Sequence, residues 1–260
     1  MKLFDVILRL LFPPCCAVCG KPTDGGDICD ECTVKFRSES FLRCPECGNS
    51  MASCHCVTSD ALDSVSRTKI GGRESFSLTF YKNAEDRAGE ERVTEKMLLA
   101  FKDNGQLTDF FADELCGGIK RFFGANGVDV SEWILTYSPR SAEKKREVGY
   151  DQCERLVRAM SKKLGIPFAE ALTRKGGEQQ KTLREAERRE NALSSLRLKK
   201  DSVIDGGKYL LIDDILTTGS TLSVAVRNLY FGGAGEVFPV TIARTYRKNL
   251  GLHEKSPTRE

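Results

Sequence analysis

Two adjacent acids followed by a cluster of hydroxyls hold the plainest chemistry in this sequence. In residues 209–222, YLLIDDILTTGSTL, an apolar run delivers Asp213 and Asp214 to a turn, after which Thr217, Thr218, Gly219, Ser220 and Thr221 open a helix. Free backbone N–H groups at a helix start attract an anion, the hydroxyls add donors, and Gly219 lets the backbone come close. The two carboxylates would repel a phosphate, so they must face something else. Vicinal ribose hydroxyls and a hydrated magnesium ion are their natural partners. A helix start in which Asp and Thr merely cap accounts for the hydroxyls but leaves two adjacent acids without purpose.

The second concentration of chemistry is sulfur. Nine of the eleven cysteines lie between positions 15 and 56. Cys16 with Cys19, Cys29 with Cys32 and Cys44 with Cys47 form CxxC pairs, and Cys54 with Cys56 forms a tighter CxC. Close pairs point to metal more than to disulfides. A CxxC on a tight turn converges two sulfurs on one ion at about 2.3 Å, and two such turns complete a tetrahedron, so these eight thiolates suffice for two structural zinc ions. Cys15 is the odd member, and His55 could replace Cys54 or Cys56 as a ligand. A segment with so few large apolar side chains cannot bury much core, and metal binding would supply the missing stability. Cys116 and Cys153 stand alone in apolar helical patterns and are expected to be buried thiols.

The elements that must position these groups alternate. Phe76, Leu78 and Phe80 alternate with polar residues as a strand does. Val93, Met97, Leu98 and Phe101 follow helical spacing in a segment that includes Lys102 and ends near Asn104 and Gly105. A second helix through Phe110, Phe111 and Leu115 runs toward Gly117. A short apolar run from Trp133 ends at Tyr137, Ser138 and Pro139, suitable for a buried strand. Leu156, Val157, Met160 and Leu164 mark a helix beginning near Asp151. Residues 166–172 read as a strand, residues 186–196 as a helix, residues 209–212 as a buried strand. Leu222, Ala225, Val226 and Leu229 give the next helix its apolar face, and residues 237–243 add a last strand. Strands alternating with helices imply an α/β fold with a parallel sheet covered on both sides. Such folds bind ligands at the carboxyl ends of their strands. The expected division is a cysteine-rich zinc module over residues 1–60 and a larger α/β domain over residues 61–260.

A net charge of +3 over 260 residues carries little information, but residues 140–200 hold 17 Lys/Arg against nine Asp/Glu. A basic segment in a near-neutral chain fits a polyanion, either phosphate groups or a nucleic-acid backbone. Few aromatics are interleaved there, Tyr150 being the main one, so base-stacking platforms are not evident. No apolar run reaches the roughly 18 to 20 residues that span a bilayer. The start, MKLFDVILRLLFPP, reads as an amphipathic helix stopped by Pro13 and Pro14, because Asp5 and Arg9 interrupt its apolar stretch. Peripheral membrane contact through Leu3, Phe4, Ile7, Leu8 and Leu11 is a minor expectation, since core packing gives the same pattern.

Residues 209–222 resemble the fourteen-residue signature by which type I phosphoribosyltransferases bind 5-phosphoribosyl 1-diphosphate (PRPP). Residues 145–152, KREVGYDQ, and residues 180–191, QKTLREAERREN, resemble the RxRGFNQ and Q-x3-L-x4-R-x2-N segments of the ComF family, competence-associated phosphoribosyltransferase-like proteins. With the cysteine-rich start, the resemblance covers nearly the whole chain. It implies a type I phosphoribosyltransferase fold and a cytoplasmic protein that binds PRPP with magnesium, transfers to an unknown acceptor, and is linked to uptake of single-stranded DNA and to competence proteins. In that reading Thr217 to Thr221 hold the 5-phosphate, Asp213 and Asp214 the ribose hydroxyls, and Pro139 and Arg140 the diphosphate. Gln180, Arg188 and Arg189 close over the leaving group. A protein that binds PRPP without turnover, and engages DNA or the uptake machinery, is the competing expectation. The chain departs from the family at Val148, where an arginine usually precedes the glycine, so no diphosphate contact carries over to that position.

Overall fold

The computed structural model describes residues 13–40, 60–81, 92–174 and 195–245. Its centre is β5 (Lys208–Leu216), whose alternation sends Leu210 and Ile212 into one core and Tyr209 and Leu211 into another. All four side chains are buried, as a strand covered on both faces requires. β5 pairs in parallel with β2 (Trp133–Tyr137) on one side and β6 (Glu236–Thr245) on the other, and β6 pairs in parallel with β1 (Phe76–Tyr81). The order is β1-β6-β5-β2. The expected architecture, a parallel sheet flanked by helices behind a small cysteine-rich start, is what the chain adopts.

The first core is capped by α3 (Val93–Asn104), α4 (Thr108–Ala125) and α6 (Gln152–Leu164), which bring Phe101, Phe111, Leu115, Phe123 and Met160 against Leu210, Ile212, Phe238 and Val240. Gly105 ends α3 at φ 69°, a left-handed turn that a glycine takes without strain. On the opposite face α7 (Ser220–Phe231) buries the predicted Leu222, Ala225, Val226 and Leu229 against Tyr209, Leu211 and Val237. Cys116 and Cys153 are buried as expected. Among the described residues no helix is long and apolar enough to cross a membrane.

The departures from expectation have local causes. α4 continues past Gly117 to Ala125 because its glycines serve packing and do not cap: a Cβ on Gly118 would come within 2.9 Å of both Phe76 and Leu78, so glycine lets β1 approach. Residues 166–172 do not form one strand. Around Phe168 the chain makes a single parallel bridge to Leu135, where Leu135 donates to the Pro167 carbonyl at 2.9 Å and Ala169 to that of Leu135 at 2.8 Å. Pro167 has no N–H to extend the ladder. The chain then enters β3 (Leu172–Arg174), antiparallel to β4 (Leu196–Leu198). Leu196, expected at a helix end, is therefore in a strand; the rest of that expected helix and the amphipathic start lie outside the described residues. The described residues also include a short helix, α5 (Ala142–Val148), and a single turn, α2 (Asp60–Asp63).

The helix following the first cysteines, α1 (Asp30–Ser40), is tied into the main core. Phe36 is 1% exposed and meets the Phe110 and Phe111 rings edge-on at 5.4 and 5.8 Å. Arg37 bonds Glu114 at 2.6 Å. Glu39 caps α3 from outside, accepting from the Val93 and Thr94 N–H groups at 2.9 and 3.0 Å and from the Thr94 hydroxyl at 2.6 Å. A Glu39→Ala substitution would orphan those donors and leave the buried Arg92, 3.5 Å away, without its counter-charge. We expect a loss of about 2 kcal/mol, read as a lower urea midpoint at unchanged m-value.

Candidate functional site

β5 carries the site to the carboxyl end of the sheet. The strand is longer than expected and holds Asp213 and Asp214 within it, so their backbone is fixed by the ladder: Asp213 is paired in register with Thr241. The Asp214 N–H donates to Asp213 Oδ1 at 2.9 Å, and the Ile215 N–H to Asp214 Oδ1 at 2.6 Å. Burial, then the neighbouring Asp214 charge, pushes the Asp213 carboxyl well above the usual carboxylate range. Beyond the strand the chain turns through Thr217 and Thr218 to Gly219, whose φ of 77° favours glycine, and enters α7 at Ser220. Thr217, Gly219 and Thr221 line a cleft of about 420 Å³. Thr218 and Ser220 bond each other at 2.9 Å, bracing the turn.

The cleft is completed by Pro139 and Arg140, which follow β2, and by Lys102, Gln152 and Arg174. Arg140 is not a loose surface charge. Its Nη2 donates to the Lys102 carbonyl at 2.7 Å, and its backbone N–H to Asp151 Oδ2 at 2.8 Å. Asp151 is also the N-cap of α6, accepting from Cys153 and Glu154, so one carboxylate sets both the helix start and the loop after β2. Gly149 ends α5 at φ 83°, which accounts for the glycine of the KREVGYDQ block.

Sequence reasoning gave no role to Lys102, Gln152 or Arg174. Lys102 Nζ lies 3.4 Å and Gln152 Nε2 3.1 Å from Asp214 Oδ2. Gln152 had a usable signal, its place directly after the capping Asp151 in the quoted block. Lys102 had none: only the packing of α3 onto the sheet brings its last turn to the strand end. Gln180, Arg188 and Arg189 lie outside the described residues. Several described residues of the basic segment are ion-paired: Lys145 with Glu154 at 3.1 Å, Arg158 with Glu154 and Glu170 at 3.0 and 3.2 Å, and Lys163 with Asp113 at 2.7 Å. Of its arginines, Arg140 and Arg174 line the cleft.

The cysteine centre is separate. The sulfurs of Cys16, Cys19, Cys29 and Cys32 all lie within 4.8 Å of one another, with Cys19 and Cys29 at 3.7 Å. Tetrahedral zinc with bonds of about 2.3 Å places its sulfurs about 3.8 Å apart, so the set fits that ion. Burial raises the Cys16 thiol, but backbone N–H groups of Cys19, Cys29 and Val18 converge on it and hold it at about 6. A sulfur held that way is a thiolate ready to ligate. Cys15 stands apart, its Sγ facing the Pro13 carbonyl at 3.3 Å. Cys44, Cys47, Cys54 and Cys56 lie outside the described residues.

Among solved structures the chain is similar to adenine phosphoribosyltransferase from Thermoanaerobacter pseudethanolicus, at 14% identity and TM-score 0.35 over 63% of this chain and 93% of that one. It is similar to a purine phosphoribosyltransferase from Pyrococcus horikoshii at 15% identity and TM-score 0.32, over 59% and 92%. For phosphoribosylpyrophosphate synthetase from Mycobacterium smegmatis the values are 18% and 0.31, over 51% of this chain and 33% of that one, so the chain spans about a third of the synthetase. No curated protein matches. At the other end of the molecule, residues 7–61 match the family described as Double zinc ribbon domain, which agrees with the four-sulfur cluster at Cys16, Cys19, Cys29 and Cys32.

Proposed function

We propose that the chain binds PRPP with magnesium in the cleft at the end of β5 and acts as a phosphoribosyltransferase. One observation carries this reading: two acids on the end of a central parallel strand run directly into a glycine-centred turn and helix start, and basic groups from three other parts of the chain, Lys102, Arg140 and Arg174, line the same cleft. Amides and hydroxyls from Thr217 to Thr221 hold the 5-phosphate, Asp213 and Asp214 the ribose hydroxyls, and Pro139 and Arg140 the diphosphate, with Arg174 beside it. Magnesium, which the paired carboxylates would hold with the ribose, supplies charge neutralisation at the leaving group.

In the reaction the C1–O bond breaks with its electron pair going to diphosphate. An acceptor nitrogen forms the new bond to C1 and gives up its proton. The chain's part is electrostatic: Arg140 and Lys102, fixed by the hydrogen bond between them and by Asp151 and Asp214, lie along the cleft where negative charge develops.

The resemblance to the ComF family adds a place in single-stranded DNA uptake, with a zinc module over residues 1–60 holding two ions through Cys16, Cys19, Cys29, Cys32, Cys44, Cys47, Cys54 and Cys56. The pairing of Lys145 with Glu154 leaves the KREV block less free for a DNA backbone than its composition suggests. Calorimetry with two titrants tests both parts. Magnesium PRPP is expected to bind at micromolar affinity and to fail without magnesium. A single-stranded oligonucleotide is expected to bind with a salt-dependent constant. Absence of PRPP binding sinks the enzyme reading; absence of oligonucleotide binding removes direct DNA contact.

A further inference from the structure

The carboxylate of Asp214 is fully engaged within the chain. Its Oδ1 is tied to the strand, accepting from the Ile215 N–H at 2.6 Å. Its Oδ2 accepts from Gln152 Nε2 at 3.1 Å and has the Lys102 ammonium at 3.4 Å, so both of its lone pairs are taken. A hydrated magnesium ion or a ribose hydroxyl that is to reach Oδ2 must therefore displace a donor. We infer that Lys102 is that donor, a resident counter-ion that keeps bare divalent metal off the acid pair and yields to metal arriving with PRPP. The inference rests on the phosphoribosyltransferase reading and adds to it a specificity-determining residue, by which the cleft selects magnesium PRPP over the free ion.

Burial decides which donor leaves. Gln152 is 5% exposed and is the first residue of α6, directly after Asp151, whose side chain caps that helix and holds the Arg140 N–H. A side chain so enclosed, on a helix start so fixed, has no room to swing aside. Lys102 lies in the last turn of α3, and its side chain is 35% exposed. It lines the cleft and also a neighbouring hollow between α3 and the end of β1, so space is open to it on either side of Asp214. An ammonium on a flexible stem changes place there without moving the helix that carries it.

Charge balance decides what must come with the metal. Among the described residues Asp214 is the one carboxylate paired with Lys102. The charged lining of the cleft is Asp213 and Asp214 against Lys102, Arg140 and Arg174, so the acids are outnumbered before any metal arrives. A free divalent ion adds positive charge to that set and brings no anion to receive the displaced ammonium, so it is repelled. PRPP brings a diphosphate into the same cleft, and Lys102 exchanges carboxylate oxygens for phosphate oxygens. Magnesium suits this arrangement, because it keeps several waters and is usually bound by one or two carboxylates together with substrate phosphates, not by a cage of protein alone.

The test is titration of manganese(II), a paramagnetic substitute for magnesium, into the zinc-loaded full chain, followed by electron paramagnetic resonance. Without PRPP the wild type should bind manganese weakly. Lys102→Met, which keeps the stem and removes the charge, should bind it about tenfold more tightly or better. Lys102→Arg retains the charge and should stay as weak as wild type. Asp214→Asn added to Lys102→Met should cancel the gain, which places the ion on the acid pair. A melting temperature within about 3 °C of wild type certifies the fold of Lys102→Met, and Lys102→Gln takes its place if that variant falls outside. Three results overturn the role: a wild-type manganese affinity equal to that of the uncharged variant, a gain shared by Lys102→Arg, or a gain that survives Asp214→Asn. Magnesium PRPP is titrated separately by calorimetry. If it fails to bind the wild type, the phosphoribosyltransferase reading falls on that titration, and the manganese series still judges Lys102.

Discussion

Asp213→Asn is expected to lose magnesium PRPP binding by about 100-fold or more and, at the same time, to make the ligand-free protein more stable. Asparagine keeps the Oδ1 that accepts from the Asp214 N–H at 2.9 Å, so local geometry survives while the carboxylate that magnesium PRPP would draw out on binding is lost. Losing charge-assisted bonds worth about 1.5–3 kcal/mol each accounts for the affinity. The stability gain has a separate origin. Burial and the Asp214 charge raise the Asp213 carboxyl in the folded chain, so the folded state holds a proton that the unfolded chain releases near its ordinary pKa of about 4. Below that pH both states are protonated and the wild type suffers no penalty. As pH climbs toward the raised folded value the penalty accumulates and then levels off. The melting temperature of Asp213→Asn should therefore match wild type near about pH 4 and exceed it by about 2–5 °C at mildly alkaline pH. Scanning calorimetry across that range decides it. A variant that binds PRPP normally refutes the site assignment, and one that is less stable than wild type at alkaline pH refutes the electrostatic account.

The same acids show how far the sequence could be read. Residues 209–222 could be read as a strand, a turn and a helix start because each step has its own local chemistry: branched and aliphatic residues, a glycine with positive φ, hydroxyls near free amides. Even there the strand end was misplaced, since ladder pairing with β6 carries β5 through the acids to Leu216, and charge patterning gives no hint of pairing. Lys102, Gln152 and Arg174 reach the cleft from three separate elements, and their convergence is a property of packing. The four-sulfur cluster was the easiest part, because CxxC pairs contain their own geometry. What the pairs did not convey is that α1, which starts at the second of them, is built into the core of the α/β fold.

That connection makes zinc loss the most damaging change expected. Cys29 and Cys32 sit at the start of α1, which places Phe36 between Phe110 and Phe111 and Glu39 on the first amides of α3. The far end of α3 holds Lys102 beside Asp214 and, through the Lys102 carbonyl, fixes Arg140. An ion at Cys16, Cys19, Cys29 and Cys32 would thus set a helix that sets another helix that sets the cleft. Cys19→Ser, which removes an exposed sulfur and no core packing, is expected to cost one zinc per chain by elemental analysis. Structural zinc contributes on the order of 10 kcal/mol in isolated modules, so a loss of even about 4 kcal/mol here should lower the melting temperature by about 10 °C. The transition should remain single, because Phe36 and Glu39 belong to the same cooperative core as the sheet. Magnesium PRPP affinity should fall by about tenfold as Lys102 and Arg140 lose their fixed positions. An autonomous module would give the opposite result: a separate low-temperature transition, with the main transition and PRPP affinity unchanged. The buried ring of Phe36 and the three hydrogen bonds of Glu39 are the reasons to expect one transition and a weakened site.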